Sequence, residues 1–479
     1  MEGGPGQEPS IQNSFSVNGQ EIALLSDAAH ILKAIRNAFM NNKVLHIHDK
    51  HVDYHALETN DVFWEAIVKL VEFDEQRELK IAPHLSRACI HITNFTKMSV
   101  SLAMKVLSLA TAAALKLACL EYPDQFPSYY LTTVFFIEQV AHWWEIAHSR
   151  TSSKCFFSKD DDKEWNKSTR ALEQFMDLYS NMIISDHQVE GYWPSQRAVL
   201  LTSFSILWIA NKLVKEGGYH FFLPGRCLND CIENFFSLVR GINKAPTALL
   251  FKRFAKAIAV SQFIKYTPRG NYEQDDSLEY LTSLEDFRDS QQCVDEEYNE
   301  DEEMMAQFEK DDFDPEDFAE DNALAYFGGS ILKQIVKGNC QECEEELFAP
   351  DEDQQECNNL IRLKEYSEGS LVSPSTRANQ MFKIAELTFR AIRTDLLKVN
   401  KNLNTIMVKK VIEAIKEEIP STFLPSCHLN KIVTKFIRAR LNFWAKFSNA
   451  LLRKRHKKEI EEAANGSASM KQVQVTKNC

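Results

Sequence analysis

The chain has 479 residues, 44% hydrophobic and 26% charged, which is close to average globular composition and enough for a sizeable core. Its formal charge of −13 is uneven: 22 acidic residues against Arg288 and Lys310 give Glu273 to Asp321 a charge of −20, leaving +7 elsewhere, so a phosphate-neutralising surface is not excluded. The opening MEGGPGQEPS has no basic or apolar region of a secretory signal, eleven scattered cysteines are not a disulfide scaffold, and Lys105 and Lys116 interrupt the apolar stretch Ser99 to Leu120, so an intracellular, reduced chain with no membrane partner is predicted.

Residues 1–20, rich in Gly, Pro, Gln, Ser and Asn, read as a flexible start. Ile22 to Leu25 is a short apolar run ending at Ser26-Asp27, and Ile31, Leu32, Ile35, Ala38 and Phe39 then recur at helical spacing. The predicted order is therefore strand, acid, helix. From about 55 to 215 the pattern is helical: Val62 to Phe73, Val100 to Leu120, Tyr130 to His148, Ser168 to Ile184 and Gln196 to Val214, with Pro83, Pro123, Pro127 and Pro194 in connections. Gly217-Gly218 and an aromatic strand or turn at Tyr219 to Leu223 follow, with Pro224-Gly225 as a breaker. Helices are expected at Asp230 to Arg240, with Gly241 as its C-cap, and at Ala248 to Ile264. Like-charge repulsion predicts disorder over about 270–322, and helical periodicity resumes over 323–452 before a basic and polar tail, 453–479.

Asp230-Cys-Ile-Glu233 places two carboxylates on one helix face, where they can hold Mg²⁺ or simply favour the helix dipole. Asp27 at a strand end is a metal ligand or a helix N-cap. Cys340-x-x-Cys343 with Cys357 and His428 reads as a zinc site or as reduced thiols. Arg453-Lys-Arg-His-Lys-Lys458 reads as a nuclear import or DNA-backbone patch, or as the solvated basic end of a helix. Phe287, Tyr298, Phe308, Phe313 and Phe318 among the acids resemble an activation segment, which would recruit protein partners in the nucleus.

Taken together, these segments resemble the P element type transposases, the family that includes the THAP-domain transposase. Asp27-Ala-Ala-His-Ile-Leu-Lys-Ala-Ile-Arg-Asn37 is similar to the family's D-x-x-H-x-x-K-x-x-R-N segment. Leu79 to Leu85, Phe95-Thr-Lys-Met-Ser-Val100 and Leu107-Ser108 resemble its Lys-Met segment, and Phe136 to Arg150 resembles F-D-x-x-N-S-R. Asp230-Cys-Ile-Glu-Asn-Phe-Phe-Ser-Leu-Val-Arg240 with Pro246-Thr247 is similar to D-x-x-E-N-x-F-x-x-(I/V/M)-R…P-T. Gly328 to Ile331, Cys340-x-x-Cys343, Leu371 to Ser375 and Glu386 resemble the distal part, all in one order over about residues 20–450.

The resemblance implies a mainly α protein: a large helical insertion domain, remnants of a split ribonuclease H-like α/β catalytic domain, and a helical C-terminal region. The implied fragments are 21–40 and 216–269 for the ribonuclease H-like parts and 41–215 for a GTP-binding-type insertion. It further implies Mg²⁺ at Asp27 and Glu233, with Asp230 nearby, and guanine nucleotide near Lys97, Glu145 and His148, although a lysine opening an amphipathic helix also suits solvent. DNA and a further copy of the chain are the implied partners, in the nucleus.

Departures from the family shape the expected activity. Only 26 residues precede Asp27, and their acids are Glu2, Glu8 and Glu21, so the family's first catalytic Asp has no counterpart; sequence upstream of Met1 bearing it would complete the set. No Cys precedes Cys89, which excludes an amino-terminal Cys-Cys-Cys-His finger before it. Glu145 stands for the family's Asp and His148 for its Asn. A transposase-derived protein without cut-and-paste activity is expected, with DNA or nucleotide binding retained.

Overall fold

The computed structural model describes residues 12–93, 96–152, 155–184, 192–243, 245–264, 317–350, 355–366, 369–396, 403–419 and 427–444. The predicted acidic segment up to residue 316, its aromatic residues before Phe318, and the basic tail lie outside the described residues. The chain forms two compact units, Met1–Glu78 with Ala82–Met305, and Leu79–Ile81 with Ala306–Cys479. It is mainly α-helical.

The first unit is built on helices whose apolar positions face one core. In Ala28–Asn42, Ile31, Leu32, Ile35 and Phe39 are buried, as the spacing predicts, and Phe39 meets Trp64 and Phe136 edge-on at ring-centroid distances of 5.2 and 5.5 Å. Helix Leu131–Ala147 is apolar on nearly every side and buries Phe136, Ile137, Val140 and Trp143 at its centre. The Trp143 indole donates to Ser203 Oγ at 2.9 Å, so its polar atom is not left unpaired in the core. Helix Asp162–Ser180 packs beside it, and Pro194–Ala210 follows with Pro at its first turn.

Val100–Glu121 and Pro194–Glu216 are long and apolar enough to cross a membrane. The first is two helices rather than the single one expected: it breaks at Leu107-Ser108, where Ser108 caps Leu109–Glu121 by accepting from Thr111 N. Most of its side chains lie in the core.

Two predictions for this unit are corrected. Residues 14–23, placed mostly in the flexible start, form a hairpin pairing Ser14–Val17 with Gln20–Ala23, turned by Asn18 and Gly19 at φ 53° and 78°. Sheets among the described residues are two-stranded, as a mainly α fold has few and short strands. Asp230–Ile242 runs through Gly241 and is capped at Asn243 instead. That helix exposes Ile232, Phe236, Leu238 and Ile242 by 39 to 56%.

In the second unit, helix Phe318–Ile335 begins inside the segment predicted to be disordered. Asp317 Oδ1 caps it from 3.0 Å, Glu320 is buried, and Asp321 pairs with Lys383, so the last acids of the run are structural. Gly328 and Gly329 let this helix approach its neighbours closely: a Cβ on Gly329 would overlap the Val372 carbonyl, and one on Gly328 would overlap the Phe382 ring. The Leu371 to Ser375 strap is held in turn by Asn358 Nδ2 donating to Pro374 O at 3.0 Å and Ser375 Oγ donating to Glu346 O at 2.8 Å. Gly329→Ala is therefore expected to cost about 1–3 kcal/mol by overpacking, read as a lowered urea midpoint, whereas Gly338→Ala, with open space around it, sets the strain of a positive φ alone.

Candidate functional site

Arg36 and Asn37, at the end of the first motif, reach the second. Arg36 is fully buried; its Nη2 donates to the Lys97 carbonyl at 2.9 Å and its Nε to Asn37 Oδ1 at 2.8 Å, while Asn37 Nδ2 donates to the same Lys97 carbonyl at 3.3 Å. Burial pushes the Arg36 guanidinium down to about 10, which still leaves it charged at neutral pH. Its Nη1 is buried without a hydrogen-bond partner. The result is that two segments 61 residues apart are pinned together, with the Lys97 side chain exposed on a short turn, Thr96–Met98.

Glu145 and His148 sit at the other end of the same unit's central helix. Glu145 is half-exposed, with His142 Nδ1 3.9 Å from its Oε2. His148 caps the helix and stacks on Trp144 at 4.4 Å and 20° between planes. Burial, and then the charge of Arg150, pushes the His148 imidazole down to about 4, so it is neutral at physiological pH. Gly225 is needed at this place, because a Cβ there would lie 2.5 Å from the His148 carbonyl oxygen, and its own N–H donates to Ser149 O at 2.9 Å. Beside it, Phe157–Ser158 pairs with Phe221–Phe222 and Arg226 Nε donates to Arg150 O. Sequence reading took Pro224-Gly225 as a breaker; the close approach to residue 148 gave no sequence signal. Lys97 lies on an element separate from the one that carries Glu145 and His148.

Asp27 serves as the N-cap of Ala28–Asn42, its Oδ1 accepting from Ala29 N at 2.9 Å. Oδ2 is buried without a hydrogen-bond partner and faces His30 Nε2 at 4.0 Å. One orphaned carboxylate oxygen suits a cation, but among the described residues no group of three ligating side chains includes Asp27. Asp230 and Glu233 lie in the first turn of Asp230–Ile242, and their side chains fall outside the described ones. Of the three acids, Asp27 is thus the one whose side chain is described, and its Oδ2 is the oxygen it has left for an ion.

A family model of the TNP-like GTP-binding insertion domain matches residues 29–160. A second, of the C-terminal domain of the DNA transposase THAP9, matches residues 315–443. Among solved structures, the Drosophila P element transposase strand transfer complex is 18% identical with a TM-score of 0.44, over 52% of this chain and 54% of that one. The chain therefore spans about half the length of that matched chain. No curated protein matches.

Proposed function

We infer, from two matches that make the chain P element transposase-like, that it is a transposase-derived nuclear protein whose helical insertion holds a guanine nucleotide and which does not itself cleave and join DNA. The observation that carries the nucleotide reading is the pinning of the Lys97 turn by buried Arg36 and Asn37 inside the matched segment. An exposed ammonium on a fixed backbone suits a phosphate. Glu145, an acceptor only, suits the N–H donors of a base or a ribose hydroxyl, and the neutral His148 ring offers stacking surface without competing for phosphate. Bound GTP supplies a polyanionic chain and a hydrogen-bonding base edge. The +7 outside the acidic segment favours a DNA backbone as a second ligand.

Support for absent catalysis is chemical. Two-metal strand transfer needs oxygen ligands from separate elements around both ions, and Asp27 already uses Oδ1 to cap its own helix, which leaves Oδ2 alone for an ion. Calorimetry on the full chain is expected to show GTP binding, weakened about tenfold or more (about 1.4 kcal/mol) by Glu145→Ala or Lys97→Ala. No heat with GTP, or no effect of either substitution, overturns the nucleotide reading. Transposon-end DNA incubated with the chain and Mg²⁺ or Mn²⁺ is expected to stay intact; robust turnover overturns the other half.

A further inference from the structure

In the second unit, four side chains with metal-binding atoms converge. Cys340 caps helix Gln341–Leu347 and Cys343 lies one turn into it; Cys427 and His428 immediately precede the helix at 429–444. Cys343 Sγ is 3.0 Å from Cys427 Sγ and 3.3 Å from His428 Nδ1. Cys427 Sγ is 3.8 Å from Cys340 Sγ and 3.2 Å from His428 Nδ1. All four ligand atoms lie within 4.8 Å of one another. Among the described residues this is the group of three or more His, Cys, Asp or Glu side chains able to hold an ion.

We propose that Cys340, Cys343, Cys427 and His428 form a structural zinc site. A tetrahedral ion with Zn–S bonds of about 2.3 Å and a Zn–N bond of about 2.0–2.1 Å spaces sulfurs about 3.7 Å apart and sulfur from nitrogen about 3.6 Å apart. The sulfur spacings bracket that value, and they are far beyond the roughly 2.05 Å of a disulfide. Three sulfurs and one imidazole are a soft, tetrahedral donor set that selects zinc over oxygen-preferring cations. All four positions are filled by protein, so the ion holds structure and has no open position for a substrate. Binding replaces the three thiol protons, which pass to solvent, with one Zn²⁺ on three thiolates and a neutral imidazole. His428 offers Nδ1, leaving Nε2–H for an outer partner that fixes the ring.

The pattern Cys340-x-x-Cys343 is legible in the sequence, but its second half is not the expected one. Cys357 turns away to Asn379 Nδ2 at 3.1 Å and Gln355 Oε1 at 3.7 Å, and Cys427 takes its place. The ion would tie the start of one helix to the start of another across 84 residues of chain, between Cys343 and Cys427.

Full-length chain expressed with zinc and purified under reducing conditions is expected to carry about one zinc per molecule by elemental analysis. Cys427→Ser and Cys343→Ser should each lose most of it, and Cys357→Ser should keep it. In the unaltered chain, replacement by Co²⁺ should give thiolate charge-transfer absorption and the intense ligand-field bands of a tetrahedral site, which decides the matter if the serine variants fail to fold. Absence of both zinc and a tetrahedral cobalt spectrum overturns the proposal, as does loss of the metal in Cys357→Ser or an intact mass showing a Cys343–Cys427 disulfide.

Discussion

Glu386→Ala should destabilise the second unit by about 3–5 kcal/mol, the cost of removing one partner from a buried ion pair. Glu386 is fully buried on helix Thr376–Leu396, and both of its oxygens are used. Oε1 accepts from Arg390 Nε at 2.7 Å and Arg440 Nη2 at 2.6 Å, and Oε2 accepts from Arg440 Nε at 2.7 Å. Arg440 thus makes a two-pronged contact, with its guanidinium also 5.2 Å from the centre of the Phe389 ring. Without the carboxylate, Arg440, 3% exposed, loses the two-pronged contact that pairs its buried charge. Because stability is of the order of 5–15 kcal/mol in all, such a loss removes about a fifth of it at the least. Urea unfolding followed by helix content measures it. Glu386→Leu combined with Arg440→Met should recover most of the loss, since an apolar pair of similar volume carries no desolvation cost. A double variant no better than Glu386→Ala would show that the pair does more than neutralise itself.

Acid weakens the first unit through His148. Its folded pKa is about 4 against an ordinary 6.5. Between those values the unfolded chain binds a proton that the folded chain refuses, so stability rises with pH across this window and is fully present above it. The shift corresponds to about 3 kcal/mol lost on going from pH 7 to pH 4. His148→Asn, which also restores the residue found in the resembling motif, should flatten that part of the dependence. Other groups titrate in the same range, Glu138 in the opposite sense because burial raises it, so the measurement is the difference between the two proteins' urea midpoints at pH 7 and 4.5. Parallel curves would show that His148 takes its proton without resistance.

Much of the architecture was legible because it rests on local periodicity. The buried face of Ala28–Asn42 and the all-round apolar character of Leu131–Ala147 follow from residue order alone. The hairpin at 14–23 was missed although Asn18-Gly19 is the strongest short-range hairpin signal and Ser14-Phe-Ser-Val17 alternates; four residues beside a run of Gly, Pro, Gln and Asn were outweighed by composition. Contacts between remote residues were illegible for a different reason. Neither Arg36 and Lys97 nor Glu386 and Arg440 share any spacing rule, and Cys427-His428 does not repeat the Cys-x-x-Cys interval that announced its partners. Collinear motifs named the segments; only the fold showed that Gly328-Gly329 meets the strap at Val372.

The bond between Glu386 and Arg440 also sets a timetable. A ribosome adding about 5–20 residues per second needs roughly 3–11 s to travel the 54 residues between them. During that interval Glu386 Oε2 lacks the Arg440 Nε–H from which it accepts in the folded chain. The second unit therefore closes only once Arg440 has been made, and a chain halted before it holds Glu386 through Arg390 while its Oε2 lacks the donor it has in the folded chain.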